Sequence, residues 1–217
     1  MAGSKAERRV RARRSGVAPG RPRNPAVDRA ILRAALALFI EHGVAGASIE
    51  KIARRAGVAR TSVYRRWSSR EALMAQAIEV ARNAAGFSEE VMDRTPAEDF
   101  AQLLLDACAT AARPEIRRLM ARLIGSVPDW PNLLEVYRDT YYLPRRRAFL
   151  RALERVKAAG LLARGTDTEA LADRFTGAMM HRLLLAPAVE TTPDMLRLQM
   201  LTLMREAGFE LSRLHRR

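Results

Sequence analysis

The sequence predicts an all-α protein, built from an N-terminal three-helix helix-turn-helix domain and a larger helical C-terminal domain. Apolar residues return at the spacing of an α-helix in one segment after another. Proline, glycine and short polar capping residues separate these segments, and no convincing strand pattern occurs. At 217 residues the chain can bury a good core, as one domain or as a small domain plus a larger one.

The first helix follows a basic segment without apolar periodicity. Residues 1–24 hold eight Lys/Arg and one Glu, and we expect them to form a disordered arm. Asn24 is typical of an N-cap and Pro25 of the first helical position. The helix ends near Gly43. Its inward face is formed by Ile31, Ala34, Ala35, Leu38 and Phe39.

Two shorter helices separated by a tight turn complete the small domain, which spans residues 25–70. Ser48 caps the first of them, and Gly57 supplies the turn. The second helix runs from about Ala59 to Trp67. Its buried face is formed by Val58, Val63 and Trp67.

A connecting helix, predicted over residues 69–84, leads into the larger domain at residues 85–217. Its start is marked by Ser68 and Glu71, whose spacing is that of a capping box. Similar signals predict the remaining helices: Phe100–Ala112 after a capping box at Thr95–Glu98, one from Pro114, one ending near Ala159 with a break at Pro144, one from a capping box at Thr166–Glu169 to about Ala186, and one from Thr192 and Pro193 to about Leu214.

The positive charge is concentrated at the N-terminal end. Residues 1–82 hold 18 Lys/Arg and six Asp/Glu, so they carry +12 of the total net charge of +14. The remaining 135 residues are nearly neutral. This asymmetry predicts an N-terminal part that faces a polyanion.

The second short helix carries the groups that a DNA groove would meet. Hydroxyls, a phenol and guanidiniums suit major-groove reading from a helix whose other side is buried. We expect Arg60 to read bases and Arg65 and Arg66 to contact the DNA backbone. The basic arm either reaches an adjacent minor groove or acts only as a solubilising tail. The predicted contacts on this helix are Arg60, Thr61, Ser62, Tyr64, Arg65 and Arg66.

The segment GVARTSVYRRWSSREAL, preceded by SIEKIARRA and by a helix ending in LALFIEHG, resembles the N-terminal domain of the TetR family of bacterial transcription regulators. The resemblance covers residues 26–80 and extends, more weakly, into the C-terminal half. It implies a homodimer joined through its last two long helices, a small-molecule pocket in each subunit, and a palindromic operator.

Several residues take roles from this resemblance. Ser48 is expected to donate to a phosphate, Tyr64 to contact the DNA backbone, and Arg70 to pair with a phosphate where the family usually has lysine. Trp67 takes the place of the family's buried aromatic residue. Ala59 departs from the pattern, because a capping Ser or Thr is common at that position.

The C-terminal half is expected to hold a mostly apolar effector. Aromatic residues and methionines at helical spacing suit an adaptable pocket, although such a stripe is also typical of a core. The pocket is expected to include some of Phe100, Leu104, Met120, Trp130, Tyr137, Tyr141, Phe175 and Met179. The dimer interface is expected to include Leu184, Leu196, Met200 and Leu203, on the last two helices.

No pattern in the chain indicates an enzyme, a cofactor or a metal site. The three histidines are far apart, and no HExxH, GxSxG or phosphate-binding loop occurs. One cysteine, Cys108, excludes an intrachain disulfide, and no apolar run could span a bilayer, so we expect a cytoplasmic protein. The leading hypothesis is therefore a DNA-binding repressor released by a small effector. The alternative is a non-specific architectural DNA-binding protein without an effector.

Overall fold

The computed structural model describes residues 24–83, 86–186 and 192–212, and within them the chain is helical without strands. The predicted basic arm lies outside the described residues, apart from Asn24. No helix in these ranges is long and apolar enough to cross a membrane.

The described residues form a succession of α-helices with short connections. Their bounds are α1 Pro25–Gly46, α2 Ile49–Arg55, α3 Arg60–Tyr64, α4 Arg70–Asn83, α5 Glu89–Arg94, α6 Phe100–Ala111, α7 Pro114–Gly125, α8 Pro131–Tyr137, α9 Leu143–Ala158, α10 Thr168–Met180 and α11 Pro193–Glu206.

Helix α1 begins and bends where the sequence predicts. The Asn24 side chain accepts a hydrogen bond of 2.9 Å from the Ala26 N–H, and Pro25 occupies the first helical position. At Gly43 the backbone adopts φ +64°, which breaks the helical path before a last turn to Gly46. The predicted inward residues are all buried.

The helix-turn-helix also forms as predicted, with a shorter second helix. The Ser48 side chain accepts from the Lys51 N–H (3.3 Å), and Gly57 makes the turn at φ +67°. Helix α3 ends early because the N–H groups of Arg66 and Trp67 both bond to the Val63 carbonyl, which tightens the last turn.

The capping box predicted at Ser68 is wrong by one residue. Ser69 is the cap of α4, since its hydroxyl accepts from the Ala72 N–H at 3.0 Å. The Glu71 carboxylate accepts instead from the indole N–H of Trp130, the residue directly before α8. The bond between Glu71 and Trp130 therefore takes the place of the predicted capping bond from Glu71 to the Ser68 backbone.

The other two capping boxes are also wrong. Asp167, rather than Thr166, caps α10 by accepting from the Ala170 N–H at 3.1 Å. Thr95 donates to the Val91 carbonyl, and a 3₁₀ turn at Ala97–Asp99 precedes α6. Capping residues stand close together in these segments, so local spacing alone does not identify which one is used.

Two further differences come from signals that the sequence analysis passed over. Helix α5 was not predicted because its two leading glutamates resembled a polar loop, yet Ser88 caps it and Met92 is fully buried. Helix α11 stops at Glu206 rather than near Leu214, because Gly208 adopts φ +77° directly after it.

The break predicted at Pro144 takes the form of a wide turn. Proline lacks an N–H and would clash with the carbonyl four residues earlier in a regular helix. Residues Arg138–Tyr142 therefore form a π-helical turn, in which the Leu143 N–H bonds to the Arg138 carbonyl. A second π-helical turn, His181–Leu185, extends α10.

The helices enclose two apolar cores, and α4 lies in the first of them. The first core contains α1 to α4 together with buried residues of α7 and α8, such as Leu123 and Leu133. The second lies among α5, α6, α9, α10 and α11. Helix α4 packs against both α1 and α8, so the helix-turn-helix shares its core with the C-terminal half.

Candidate nucleic-acid interface and ligand cavity

The recognition helix α3 presents most of the predicted contacts to solvent. Arg60, Thr61, Tyr64 and Arg65 are exposed, and the Tyr64 ring, 56% accessible, is among the most exposed large apolar groups described. Arg60 pairs with Glu50 at 3.1 Å, but both side chains are more than half accessible, so this surface pair is weak. The four residues form a free donor-rich face.

Arg66 is placed differently from the prediction. Its guanidinium pairs with Asp28 of α1 and donates to the Ser62 carbonyl at 2.9 Å, and only 14% of the side chain is accessible. Arg66 therefore holds the end of α3 against α1, and little of its side chain is accessible. Half-buried Ser62 is likewise partly covered, although its hydroxyl remains 3.4 Å from Arg65 Nη2.

Helix α2 borders the same face. The Ser48 oxygen is used as a helix cap, and the Ser48 side chain also forms a hydrogen bond with the Glu50 carboxylate. Arg55 forms a two-bond pair with Glu41 (2.6 and 2.8 Å) and so serves to join α2 to α1. Arg54 is exposed and has no ion pair within the described residues, which leaves it available for a phosphate.

Trp130 lies at the joint between the two halves rather than in a pocket. Its indole N–H donates to Glu71 at 2.6 Å, and its ring meets Phe39 edge to face, 6.4 Å between centroids. The Arg70 guanidinium lies over the ring, 3.7 Å from its centroid. Arg70, which we predicted to pair with a phosphate, thus forms a cation–π contact in this structure.

The pKa of the Glu71 carboxyl reflects opposing effects of burial and hydrogen bonding at the contact with Trp130. Burial raises its pKa, but hydrogen bonds from the Trp130 indole, the backbone and Ser69, with the nearby Arg70 charge, outweigh burial and lower the pKa below its usual range. The carboxylate is therefore the form that the joint holds.

A cavity of about 440 Å³ lies within the larger half and reaches α4. Five of the predicted residues line it: Leu104, Met120, Tyr137, Phe175 and Met179. Three predicted residues do not, because Trp130 is at the joint, Phe100 packs against Phe149 in the second core, and Tyr141 lies beside the Tyr137 ring at 6.1 Å.

The sequence analysis missed the cationic part of the cavity wall. Arg82 of α4, Arg138 and Tyr142 of the π-helical turn, and Arg145 and Arg146 of α9 all contribute to the lining. One signal was available, because Tyr137, Tyr141, Arg145 and Phe149 follow one another at four-residue spacing. The π-helical turn could not be foreseen from that spacing.

Two contacts tie the wall of the cavity to α4. Arg82 donates to the Tyr137 phenol oxygen at 2.7 Å. Arg145 pairs with the buried Glu79 and donates to the Asn83 side chain at 2.7 Å. These contacts connect the wall of the cavity to α4, the helix that follows the recognition helix.

Cys108 is a buried thiol in the cavity lining. Burial raises its pKa to about 12, and the charge of Arg197 offsets only part of that effect. A neutral thiol is a small apolar surface, so at ordinary pH Cys108 contributes packing rather than nucleophilic chemistry.

The predicted dimer residues are mostly committed within the subunit. Leu196 and Met200 are buried in the second core, and Leu184 and Leu203 are half-buried. The exposed apolar side chains of this region are Leu185, Met195 and Leu198. An interface on these helices would therefore use the outer face, which the sequence analysis did not separate from the inner one.

Family models match both halves of the chain. Residues 31–77 match "Bacterial regulatory proteins, tetR family", and residues 93–199 match "Tetracyclin repressor-like, C-terminal domain". The HTH-type transcriptional regulator YdeS of Bacillus subtilis is 31% identical over 173 residues, which cover 76% of this chain and 82% of YdeS.

Solved structures share the fold at low sequence identity. SmeT, the repressor of the SmeDEF multidrug efflux pump of Stenotrophomonas maltophilia, has a TM-score of 0.65 at 21% identity, covering 85% of this chain and 91% of SmeT. A transcriptional regulator of Saccharomonospora viridis, solved with choline, has a TM-score of 0.62 at 14% identity, covering 86% of this chain and all of that one.

The two neighbouring arginines directly after α3, Arg65 and Arg66, offer a matched test of the anchoring role. We expect Arg66→Gln to lower the free energy of unfolding by about 1–2 kcal/mol, because it removes a charged hydrogen bond and leaves Asp28 unpaired. Arg65→Gln removes the same charge from an exposed position and should change stability by less than about 0.5 kcal/mol. Urea unfolding followed by circular dichroism measures both, and equal effects would contradict the assignment.

The Cys108 thiol provides a pH-dependent test of the cavity lining. With a pKa of about 12 instead of 9.0, the thiolate fraction at pH 8 falls roughly a thousandfold, and alkylation slows in proportion. Between pH 7 and pH 9.5 we expect slow iodoacetamide labelling whose rate rises about tenfold per pH unit without a plateau. The urea-unfolded chain is the control, and labelling at its rate in the folded protein would refute the assignment.

Proposed function

The chain belongs to the TetR family of DNA-binding transcriptional regulators, and on that premise we propose that it is a repressor released from a palindromic operator by a small molecule. The relatives named above are regulators rather than enzymes. The observation that carries the ligand-release part is Arg82, because it lies on α4 and lines the cavity.

The exposed face of α3 supports a role in reading DNA. Arg60 and Thr61 stand at its start, where a recognition helix meets base edges, while Tyr64 and Arg65 lie further along and suit the DNA backbone. Ser48 and Arg54 extend this face onto α2. Arg66 pairs with Asp28 of α1 and so supports the orientation of α3, whereas the Arg70 guanidinium lies over the Trp130 ring.

The cavity supports a role for an effector. Its volume falls within the range of about 300–1,000 Å³ typical of small-molecule sites. The S. viridis regulator holds choline in this fold, which supports the same use of the fold here. A ligand that favours a different spacing of α4 and α8 would lower operator affinity, and by linkage DNA would lower the ligand's affinity equally.

We propose that two copies pair through the outer face of α10 and α11. Met195, Leu198 and Thr202 are exposed along one side of α11, and Leu185 is exposed at the end of the preceding turn. Such a C2 dimer would place two recognition helices on successive turns of DNA and would require a palindromic site.

The alternative, an architectural DNA-binding protein without an effector, predicts the opposite result in a selection experiment. We expect the full chain to enrich a palindromic sequence from random duplexes. On that duplex, Arg60→Ala should weaken binding about tenfold and relax one base position, since a bidentate contact contributes about 1–3 kcal/mol.

The matched control is Arg118→Ala, which removes the same charge from an exposed site on α7 that lies outside the cavity lining. Its operator affinity should stay within about twofold of the parent, because long-range charge effects are screened by salt. A selection without enrichment, or equal losses for the two variants, would favour the architectural protein.

A further inference from the structure

The charge of the cavity wall restricts which ligands can enter. Most of the lining is apolar, with Phe, Leu, Ile, Met and Ala side chains. Four arginines also contribute to it, whereas no Asp or Glu is present among the described lining residues: the four are Arg82, Arg138, Arg145 and Arg146. Three of them pair with carboxylates outside the lining: Arg138 with Asp139, Arg145 with Glu79, and Arg146 with Glu169 and Asp173.

Arg82 is a cation without a carboxylate partner in the described part of the chain. One of its terminal nitrogens donates to the Tyr137 phenol at 2.7 Å and lies 3.8 Å from the Met120 sulfur. Both of these partners are neutral. A guanidinium has five N–H donors, so most of those on Arg82 remain for a ligand.

Arg145 carries a buried donor that is not satisfied. The residue is 7% accessible, and its Nη2 serves both Glu79 and Asn83. Its Nε has no acceptor among the described residues, and neither has Nη1 of Arg146. An unsatisfied buried donor destabilises a protein, and an acceptor that enters the cavity would remove that cost.

A cationic ligand fits this wall poorly. Glu79 also has one unpartnered oxygen, but Glu79 is not among the lining residues, and its other oxygen is held by Arg145. A quaternary ammonium in the cavity would face guanidiniums rather than that carboxylate. A neutral apolar ligand would leave the donors of Arg82 and Arg145 without an acceptor.

We infer that the effector is an amphipathic organic anion. Its carboxylate accepts hydrogen bonds from Arg82 and Arg145, and its apolar body packs among Leu104, Phe149, Phe175 and Met179. This inference rests on the proposed function, in which the cavity is the effector site. It replaces the mostly apolar effector expected from the sequence with one that carries a negative charge.

The first test compares headgroups on the unmodified full-length protein without DNA. The probes are decanoate and naphthylacetate, with nonyltrimethylammonium as the cation of the same alkyl tail as decanoate and acetate as the anion without an apolar body. Calorimetric titration should show binding of at least one of the two amphipathic carboxylates and no binding of the ammonium or of acetate. An ammonium that binds as tightly as decanoate, or no binding of either carboxylate, overturns the inference.

The second test replaces an arginine of the cavity wall. Arg82→Gln should weaken binding of the carboxylate about tenfold or more, because a charge-assisted pair is lost. Arg118→Gln removes an equal charge outside the cavity and should leave binding within about twofold. Equal affinities in the two variants would contradict a carboxylate contact at Arg82, and the headgroup comparison does not depend on either variant folding.

The experiments distinguish a failure of the anion site from a failure of ligand-controlled repression. A protein that binds the carboxylate but is not displaced by it from a selected operator refutes ligand-controlled repression and leaves the anion site intact. A protein that binds its operator and no carboxylate refutes the anion site and leaves DNA binding intact.

Discussion

The position of α4 in a core shared by both halves is the constraint on which the rest of the structure depends. On one side, α4 packs against α1 and the helix-turn-helix, and on the other it packs against α8. Trp130 completes this core by contacting Phe39, Arg70 and Glu71 at once. A movement of α4 against α8 would therefore disturb both the apolar and the polar contacts of Trp130.

Polar contacts along α4 connect the cavity of the larger half to the helix that follows α3. Glu79 and Arg82 are three residues apart on one face of α4, and each bonds to a residue of the cavity wall. A buried ion pair is weak evidence for stability, since desolvation offsets much of its attraction. The Glu79–Arg145 pair instead fixes the position of Arg145 beside α4. The unsatisfied Nε of Arg145 can still donate to an acceptor.

Much of this arrangement could be predicted from the sequence, but the contacts that join its parts could not. Asn24, Ser48, Gly57 and Thr192 act as predicted because caps and turns depend on a few neighbouring residues. The internal partners of Arg66, Arg70 and Trp130 could not be foreseen, because those partners lie on other helices and are 38 to 60 residues away along the chain. Helical spacing also could not distinguish the inner from the outer face of α11, so Leu196 and Met200 were placed at an interface instead of in the core.

Native-state hydrogen exchange of the full chain, in low concentrations of denaturant, tests the shared core most directly. If α4 joins both halves in one core, the slowest amides of α1 and α4 should open in the same cooperative step as those of α7 and α8, with the same free energy and denaturant dependence. The contrary result is an N-terminal unit of α1 to α4 that opens at lower free energy while α7 and α8 stay protected, which is the behaviour of an independent domain.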